Sequence, residues 1–337
     1  MGRARGTSAG GSRLTLILGS TRLPNLDGED LDGHSEHCRR GPASPGPVGA
    51  YLPASFTAAL DIGRQRDAAR RLEQAGFGAA WVNEGIGGKD VLAQLGILMA
   101  ATDRLAFGTG IANIWARAPQ TLHGGAALLA AAYPGRLVVG LGVGYPHQAA
   151  AVGQEFGRPR AAMRSYLERL DTHGMTPAPD AGYPRIIAAN GLRMLDLAAE
   201  IADGAIPAGL PPEYTARARH VLGPDRLLVI GVALVAGASR SETRATARAR
   251  LVGAPGQPAS RAALLAELEY AADDIESVSD KLVDAMVAHG DPDSVAETVR
   301  AHLAAGADHV TFLVDGSDLE AAMNQLETVA PALAGLR

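Results

Sequence analysis

Between Leu105 and Pro146 the chain places an amide, a guanidinium and a phenol among runs of glycine: Gly108-Thr109-Gly110-Ile111-Ala112-Asn113, then Arg117, then Gly140-Leu141-Gly142-Val143-Gly144-Tyr145, with His147 just beyond. These types suit a flat heteroaromatic ligand. Glycines such as Gly110, Gly142 and Gly144 leave the backbone open to the approach of a ring. The Asn113 amide can donate to and accept from the edge of a pyrimidine-like ring. Arg117 either forks onto a phosphate or carboxylate or caps a surface loop. Further along, Asn190-Gly191-Leu192 opens a helix, whose first N–H groups make a natural phosphate nest. Glu84, Tyr145 and His147 are the candidates for proton handling. A phenol is protonated at neutral pH without any shift, whereas a carboxyl must have its pKa raised to donate. Tyr145 is therefore the better donor and Glu84 the better anchor for a ring or substrate N–H. His147 is the alternate donor, or simply part of a solvated loop.

The elements that must carry these residues alternate. Residues 105–114 form an apolar, β-capable run. Residues 119–132 read as an Ala/Leu-rich helix with Pro119 in its first turn, where a missing N–H does no harm. Tyr133-Pro134-Gly135 ends that helix, and 136–144 is a second apolar run. Both runs are apolar on both faces, as in buried parallel strands. The same alternation extends outward. Strands are expected at 48–52, 78–82, 185–189, 205–208, 227–236 and 309–314, with helices at 61–74, 90–101, 159–173, 194–202, 213–222, 293–306 and 319–333. Between the last two strands stand two further helices, 239–251 and 261–270, which read as an insertion. Eight parallel strands with helical crossovers make a (β/α)8 barrel, an α/β TIM barrel whose ligands gather at the C-terminal strand ends. An open doubly wound sheet fits less well. Its glycine fingerprint would be Gly140–Gly144, which lacks the third glycine and runs into Pro146 where a helix should begin.

The segments GTGIANIWARAP and AYPGRLVVGLGVGYP, from Gly108 and Ala132 onward, resemble the luciferase-like monooxygenase superfamily. They are most similar to its branch that uses the deazaflavin coenzyme F420. The resemblance covers the chain from Gly46 and is most specific between Trp81 and Arg169. It implies a luciferase-like barrel and a non-prolyl cis peptide at Gly110-Ile111, pressed against the middle ring of the cofactor. It also implies that the cofactor phosphate lies at Asn190-Gly191-Leu192. The expected activity is hydride transfer between F420 and a small organic substrate. FMN-dependent monooxygenation on the same barrel is the alternative, and a non-catalytic barrel that binds a cofactor or partner is the reading of another class. The sugar-phosphate dehydrogenase branch carries a His after strand two and a Glu after the strand-four glycines. Here those positions hold Gly85 and Tyr145, which argues against that branch's acid–base pair and substrate. Barrels of this family pair through outer helices, so a homodimer is expected.

Composition sets the outer bounds. The chain has 337 residues and a formal net charge of −5, which gives no sign of a nucleic-acid-binding surface. The lone cysteine, Cys38, permits no intramolecular disulfide and suits a reducing, cytoplasmic setting. No apolar run is long enough to cross a membrane. Residues 1–45 are rich in Gly, Ser, Arg, Asp and Pro, and are expected to be a disordered extension outside a single barrel domain, 46–337. Within that extension His34, His37 and Cys38 lack a second ligand pair, so no metal site is expected. Arg158 and Arg160 stand at a helix start where they either face an acidic cofactor tail or are solvated. His289, His302 and His309, on late elements, show no ligand spacing.

Overall fold

The computed structural model describes residues 45–52, 61–172, 177–253 and 258–336. The expected extension lies outside the described residues apart from Pro45, and His34, His37 and Cys38 lie outside them too. The first half runs β1 (Val48–Tyr51), α1 (Ile62–Ala75), β2 (Ala79–Val82), α2 (Val91–Met99), β3 (Ala106–Thr109), β4 (Ala112–Asn113), α3 (Pro119–Ala132) and β5 (Leu137–Gly142). It continues through α4 (Pro146–Ala151), α5 (Pro159–Leu170), β6 (Arg185–Ile187), α6 (Leu192–Ile201), β7 (Gly204–Ala205), α7 (Pro212–Leu222) and β8 (Leu227–Ala236). The last part holds α8 (Arg240–Gly253), α9 (Pro258–Glu267), α10 (Ala272–Ser277), α11 (Asp280–Met286), β9 (Val287–Gly290), α12 (Pro292–Ala304), β10 (His309–Leu313) and α13 (Leu319–Leu333).

All the strand pairs are parallel, in the order β10-β1-β2-β3-β5-β6-β7-β8, and β8 pairs with β10 to close the ring. This is the (β/α)8 barrel expected of a luciferase-like chain. Alternation along each strand divides the core in two. Tyr51, Ala79, Trp81, Ala106, Val138 and Ile186 fill the barrel interior. Their strand neighbours Ala50, Leu52, Ala80, Phe107 and Val139 pack outward against the helices. Helix ends follow local chemistry. Asp61 caps α1 through the N–H of Arg64, and Gly76, in the left-handed region, ends it.

The short helices α4, α10 and α11 were not expected, nor were two features of the strands. The expected strand 105–114 is split into β3 and β4, and the stretch before α12 contains the extra strand β9, with His289 on it. β8 serves three strands, pairing with β7 through Leu227 and Leu228. Its residues from Val229 to Ala233 pair with β10, and those from Ala233 to Ala236 pair with β9. The insertion α8–α11 builds its own small core from Ala247, Leu251, Leu265, Leu282 and Met286.

Near the N-terminal end of the barrel, side chains interlock through missing β-carbons. A β-carbon on Gly49 would lie 2.6 Å from His309 Nε2, and one on Gly108 would lie 2.3 Å from the Trp81 ring. The Trp81 indole N–H donates to His309 Nε2 at 3.0 Å, so the imidazole carries its proton on Nδ1 and donates to the Gly46 carbonyl at 2.6 Å. Burial pushes the pKa of His309 down to about 4. It does the same to His302, whose Nδ1 meets the Thr215 hydroxyl at 2.8 Å between α12 and α7. Among the described residues neither histidine joins a group that could hold a metal ion.

These two groups make stability pH-dependent. Unfolded, each titrates near 6.5; folded, each stays neutral until about pH 4. The contribution is complete above pH 6.5 and is lost as pH falls from 6.5 towards 4, because the unfolded chain then binds more protons. Urea unfolding at pH 7 and pH 5 should differ by about 2 kcal/mol per histidine. In His302→Gln the difference should shrink by about half; an unchanged pH dependence would show that His302 does not contribute.

Candidate active site

The barrel's C-terminal mouth is shaped by one extra residue. Gly108 pairs with Val138, yet Ala112 pairs with Leu141, so Thr109, Gly110 and Ile111 stand opposite only Val139 and Gly140. The ladder bulges there. The Gly110–Ile111 peptide is cis, as the resemblance implied. Around it the backbone is held on every side. Gly110 N–H donates to Val82 O at 2.7 Å, and Gly110 O accepts from Asn83 Nδ2 at 2.7 Å. Ile111 O accepts from Glu84 N–H at 3.2 Å, and the Thr109 hydroxyl donates to Gly140 O at 2.6 Å.

The glycines around this bulge make room first for the chain's own groups. A β-carbon on Gly110 would stand 2.2 Å from Tyr51 Oη, and one on Gly142 2.5 Å from Ile111 Cγ1. Gly144, at φ +56°, leaves space for the Gln148 and Asn113 amides. A larger residue at Gly110 would therefore collide with Tyr51.

Glu84 and Arg117 meet inside the protein. Their side chains are only 2% and 11% exposed. Arg117 Nη2 binds Glu84 Oε1, Nη1 reaches Oε2 at 3.3 Å, and the same Oε2 accepts from Asn113 N–H at 2.8 Å. Arg117 also reaches Asp90 at 2.9 Å, and Asp90 caps α2 through Ala93 N–H. Burial works against the Asp90 charge, but the Ala93 N–H and Arg117 hold its carboxyl below the usual range. The Arg117 guanidinium is thus engaged with carboxylates of its own chain, and both Glu84 oxygens are bonded. The pair fastens the end of β2 to β4 and α2.

Asn113 is similarly committed. Its Oδ1 accepts from Trp115 N–H at 3.0 Å, and its Nδ2 donates to Gln148 Oε1 at 3.1 Å. Gln148 Oε1 also accepts from Tyr145 N–H at 2.9 Å, which fixes the start of α4. Tyr145 is 44% exposed, and its ring stacks on His147 with centroids 5.8 Å apart. The structure therefore brings Tyr145 and His147 together at the rim and buries Glu84 below them, joined to the Tyr145 backbone through Asn113 and Gln148.

Across the mouth, the Asn190 amide bridges to Ala208, accepting from its N–H at 3.0 Å and donating to its O at 3.1 Å. Gly191 is the N-cap of α6 and no side chain caps it, so the first N–H groups of that helix, from Leu192, have no side-chain partner. Arg160 stands 3.9 Å from Glu200. His289 pairs with Asp284 at 2.7 Å within the insertion, where Arg244 also grips that carboxylate. Burial opposes it, but bonds from Arg244 and His289 bring the Asp284 pKa down to about 2. Among the described residues no group of His, Cys, Asp and Glu is placed to hold a metal ion, and no helix is long and apolar enough to cross a membrane.

The profile of the luciferase-like monooxygenase family matches residues 35–309. The chain belongs to that family. Two 5,10-methylenetetrahydromethanopterin reductases are among the relatives of this luciferase-like chain. The one from Archaeoglobus fulgidus is 25% identical over 292 residues, which is 73% of this chain and 87% of that protein. The one from Methanolobus tindarius is 28% identical over 171 residues, 45% of this chain, and the match spans about half of that relative, 52%. Among solved structures, the coenzyme F420-dependent tetrahydromethanopterin reductase from Methanopyrus kandleri superposes with a TM-score of 0.65 at 19% identity, covering 85% of this chain and 99% of that one. A type II Baeyer-Villiger monooxygenase from Pseudomonas putida, in complex with FMN, superposes with a TM-score of 0.62 at 13% identity, covering 86% and 98%. At these identities the structural likeness is one of fold.

Sequence reasoning on this luciferase-like chain passed over Tyr51 and Gln148, and gave Asn83 no role. A usable signal existed for Tyr51, since alternation along Val48–Tyr51 puts it on the face opposite Ala50. Gln148 carried none, because its role depends on the fold of the turn before it.

The Glu84–Arg117 pair yields a direct test. Replacing one partner of a buried ion pair leaves the other charge uncompensated. Glu84→Gln should lower the unfolding free energy in urea by roughly 3 kcal/mol. Unchanged stability would mean that the carboxylate is not the clamp described.

Proposed function

We propose that this chain is an oxidoreductase that passes hydride between coenzyme F420 and a small organic substrate carrying a C=C, C=N or C–OH/C=O group. The observation that carries the proposal is the bulge in strand three, where the ladder slips by one residue at the C-terminal mouth of a luciferase-like barrel. It offers a surface of peptide backbone around Gly110 and Ile111, flanked by Gly142 and Gly144, against which a flat ring can lie. The start of α6 at Asn190, Gly191 and Leu192, which no side chain caps, presents backbone N–H groups suited to the phosphate of such a cofactor. Deazaflavin, when bound, contributes two-electron hydride chemistry.

In this reading the chain's own residues orient the ring, shape the mouth and manage one proton. Arg117, Glu84 and Asn113 act by position: they hold β2, β4 and α4 in register and leave the backbone of the bulge fixed. Tyr145, exposed at the rim and backed by His147, is the group that handles the proton accompanying hydride transfer. FMN-dependent monooxygenation is the second reading, favoured by the likeness of fold to the FMN-bound monooxygenase.

Titration of the purified protein with each cofactor, followed by ring fluorescence, separates the readings. F420 should bind about tenfold tighter than FMN or better, and the protein with reduced FMN should not consume oxygen. Tighter FMN binding with oxygen uptake would install the monooxygenase reading. Binding of neither would leave a barrel with another ligand. Once a substrate is found, Tyr145→Phe should slow single-turnover hydride transfer by roughly a hundredfold or more. A wild-type rate in that variant would remove Tyr145 from the chemistry.

A further inference from the structure

Five tyrosines of the described chain are buried: Tyr51, Tyr166, Tyr183, Tyr214 and Tyr270. Four of them have a hydrogen-bond partner for the phenol. Tyr166 donates to Arg117 O at 3.1 Å, Tyr214 to Ala189 O at 2.8 Å and Tyr270 to Glu213 at 3.2 Å, while Tyr183 meets His123 Nδ1 at 2.9 Å. No described residue bonds the hydroxyl of Tyr51. Its side chain is buried, yet the oxygen is not among the fully enclosed unpartnered atoms, so the hydroxyl keeps an open side and is free to bond whatever enters there.

Tyr51 is the last residue of β1, and its ring belongs to the barrel interior, whereas Ala50 and Leu52 on either side pack outward. The ring crosses to strand three, where the β-carbon that Gly110 lacks would fall 2.2 Å from Oη, 2.6 Å from Cζ and 2.7 Å from Cε1. The hydroxyl therefore ends beside the bulge. The carbonyls there are already committed, Gly110 O to Asn83 and Ile111 O to Glu84 N–H. A ligand at the bulge would find the Tyr51 O–H unclaimed.

We propose that Tyr51 is a ligand-binding residue, its hydroxyl donating a hydrogen bond to an acceptor, a carbonyl oxygen or ring nitrogen, on the edge of a planar dione ring seated at the strand-three bulge. This rests on the cofactor reading above and adds to it a specific donor. Burial pushes the phenol's pKa above its ordinary value, so the group keeps its proton at neutral pH and is available as a donor. No proton leaves Tyr51; its role is to recognise and orient the ring.

Tyr51→Phe, which keeps the ring that fills the barrel, provides the test. Two quantities are measured on wild type and variant: the dissociation constant for F420 and for FMN by fluorescence titration, and the unfolding temperature without cofactor. The variant should bind the preferred cofactor roughly three- to tenfold more weakly, the loss expected for one neutral hydrogen bond. Its unfolding temperature without cofactor should match or exceed that of wild type, because no hydrogen bond within the described fold is lost and a polar atom leaves a largely apolar interior. Equal affinities in the two proteins overturn this assignment alone. A lower unfolding temperature for the variant also overturns it, since the hydroxyl would then be bonded within the fold. A wild-type protein that binds neither cofactor overturns the cofactor reading, and this proposal with it.

Discussion

Taking the carboxylate of Glu84 out of water is unfavourable unless charge and hydrogen bonds meet it, and the mouth of this barrel is arranged around meeting it. Arg117 supplies the charge, and the N–H of Asn113 supplies a bond to the same group. Asp90 shares Arg117 and at the same time caps α2. The hydroxyl of Tyr166 in α5 reaches the Arg117 carbonyl. One buried charge thus draws together β2, β4, α2 and α5. Because Asn113 N–H is bonded to Glu84, β4 is held in one register, and the extra residue before it has to be absorbed as a bulge at Gly110. The geometry of the candidate site follows from a group that need not touch any ligand.

The barrel was legible because its signals are local and repeated. Apolar runs of strand length, Pro119 and Pro159 at helix starts and Gly76 and Gly135 at turns all recur with the βα period. β9 escaped notice for the opposite reason. Its four residues, Val287–Gly290, contain a histidine and follow a helix directly, so neither length nor pattern marks a strand. The site was less legible than the scaffold. Arg117 had two open readings, and its actual partner lies 33 residues earlier, across three elements, a distance no spacing rule spans. Tyr51 stood in a short strand, and its lack of a partner is a property of the folded surroundings alone.

The glycines teach a related lesson. From sequence, Gly108, Gly110, Gly142 and Gly144 read as room for a ligand. In the fold their missing β-carbons are first room for Trp81, Tyr51, Ile111 and the Gln148 amide. A parallel barrel of this size has an interior that side chains must fill in layers. A large ring from one strand is accommodated by an empty position on the next. Glycine near a barrel mouth marks close approach, and the partner in that approach can be protein as readily as ligand.

β8 belongs to three ladders, with β7 at Leu227 and Leu228, with β10 from Val229 to Ala233 and with β9 from Ala233 to Ala236. A helical insertion attached only by flexible loops could hinge as a lid without disturbing the barrel. Here the insertion is hydrogen-bonded to a barrel stave, so its strand β9 cannot swing away without breaking the upper ladder of β8. Motion of that strand and integrity of the sheet edge are mechanically joined. Anyone exchanging this insertion between related barrels would have to cut within the shared strand and match its register at Ala233, because a junction placed in the loops alone would leave the upper half of β8 without the neighbour it pairs with.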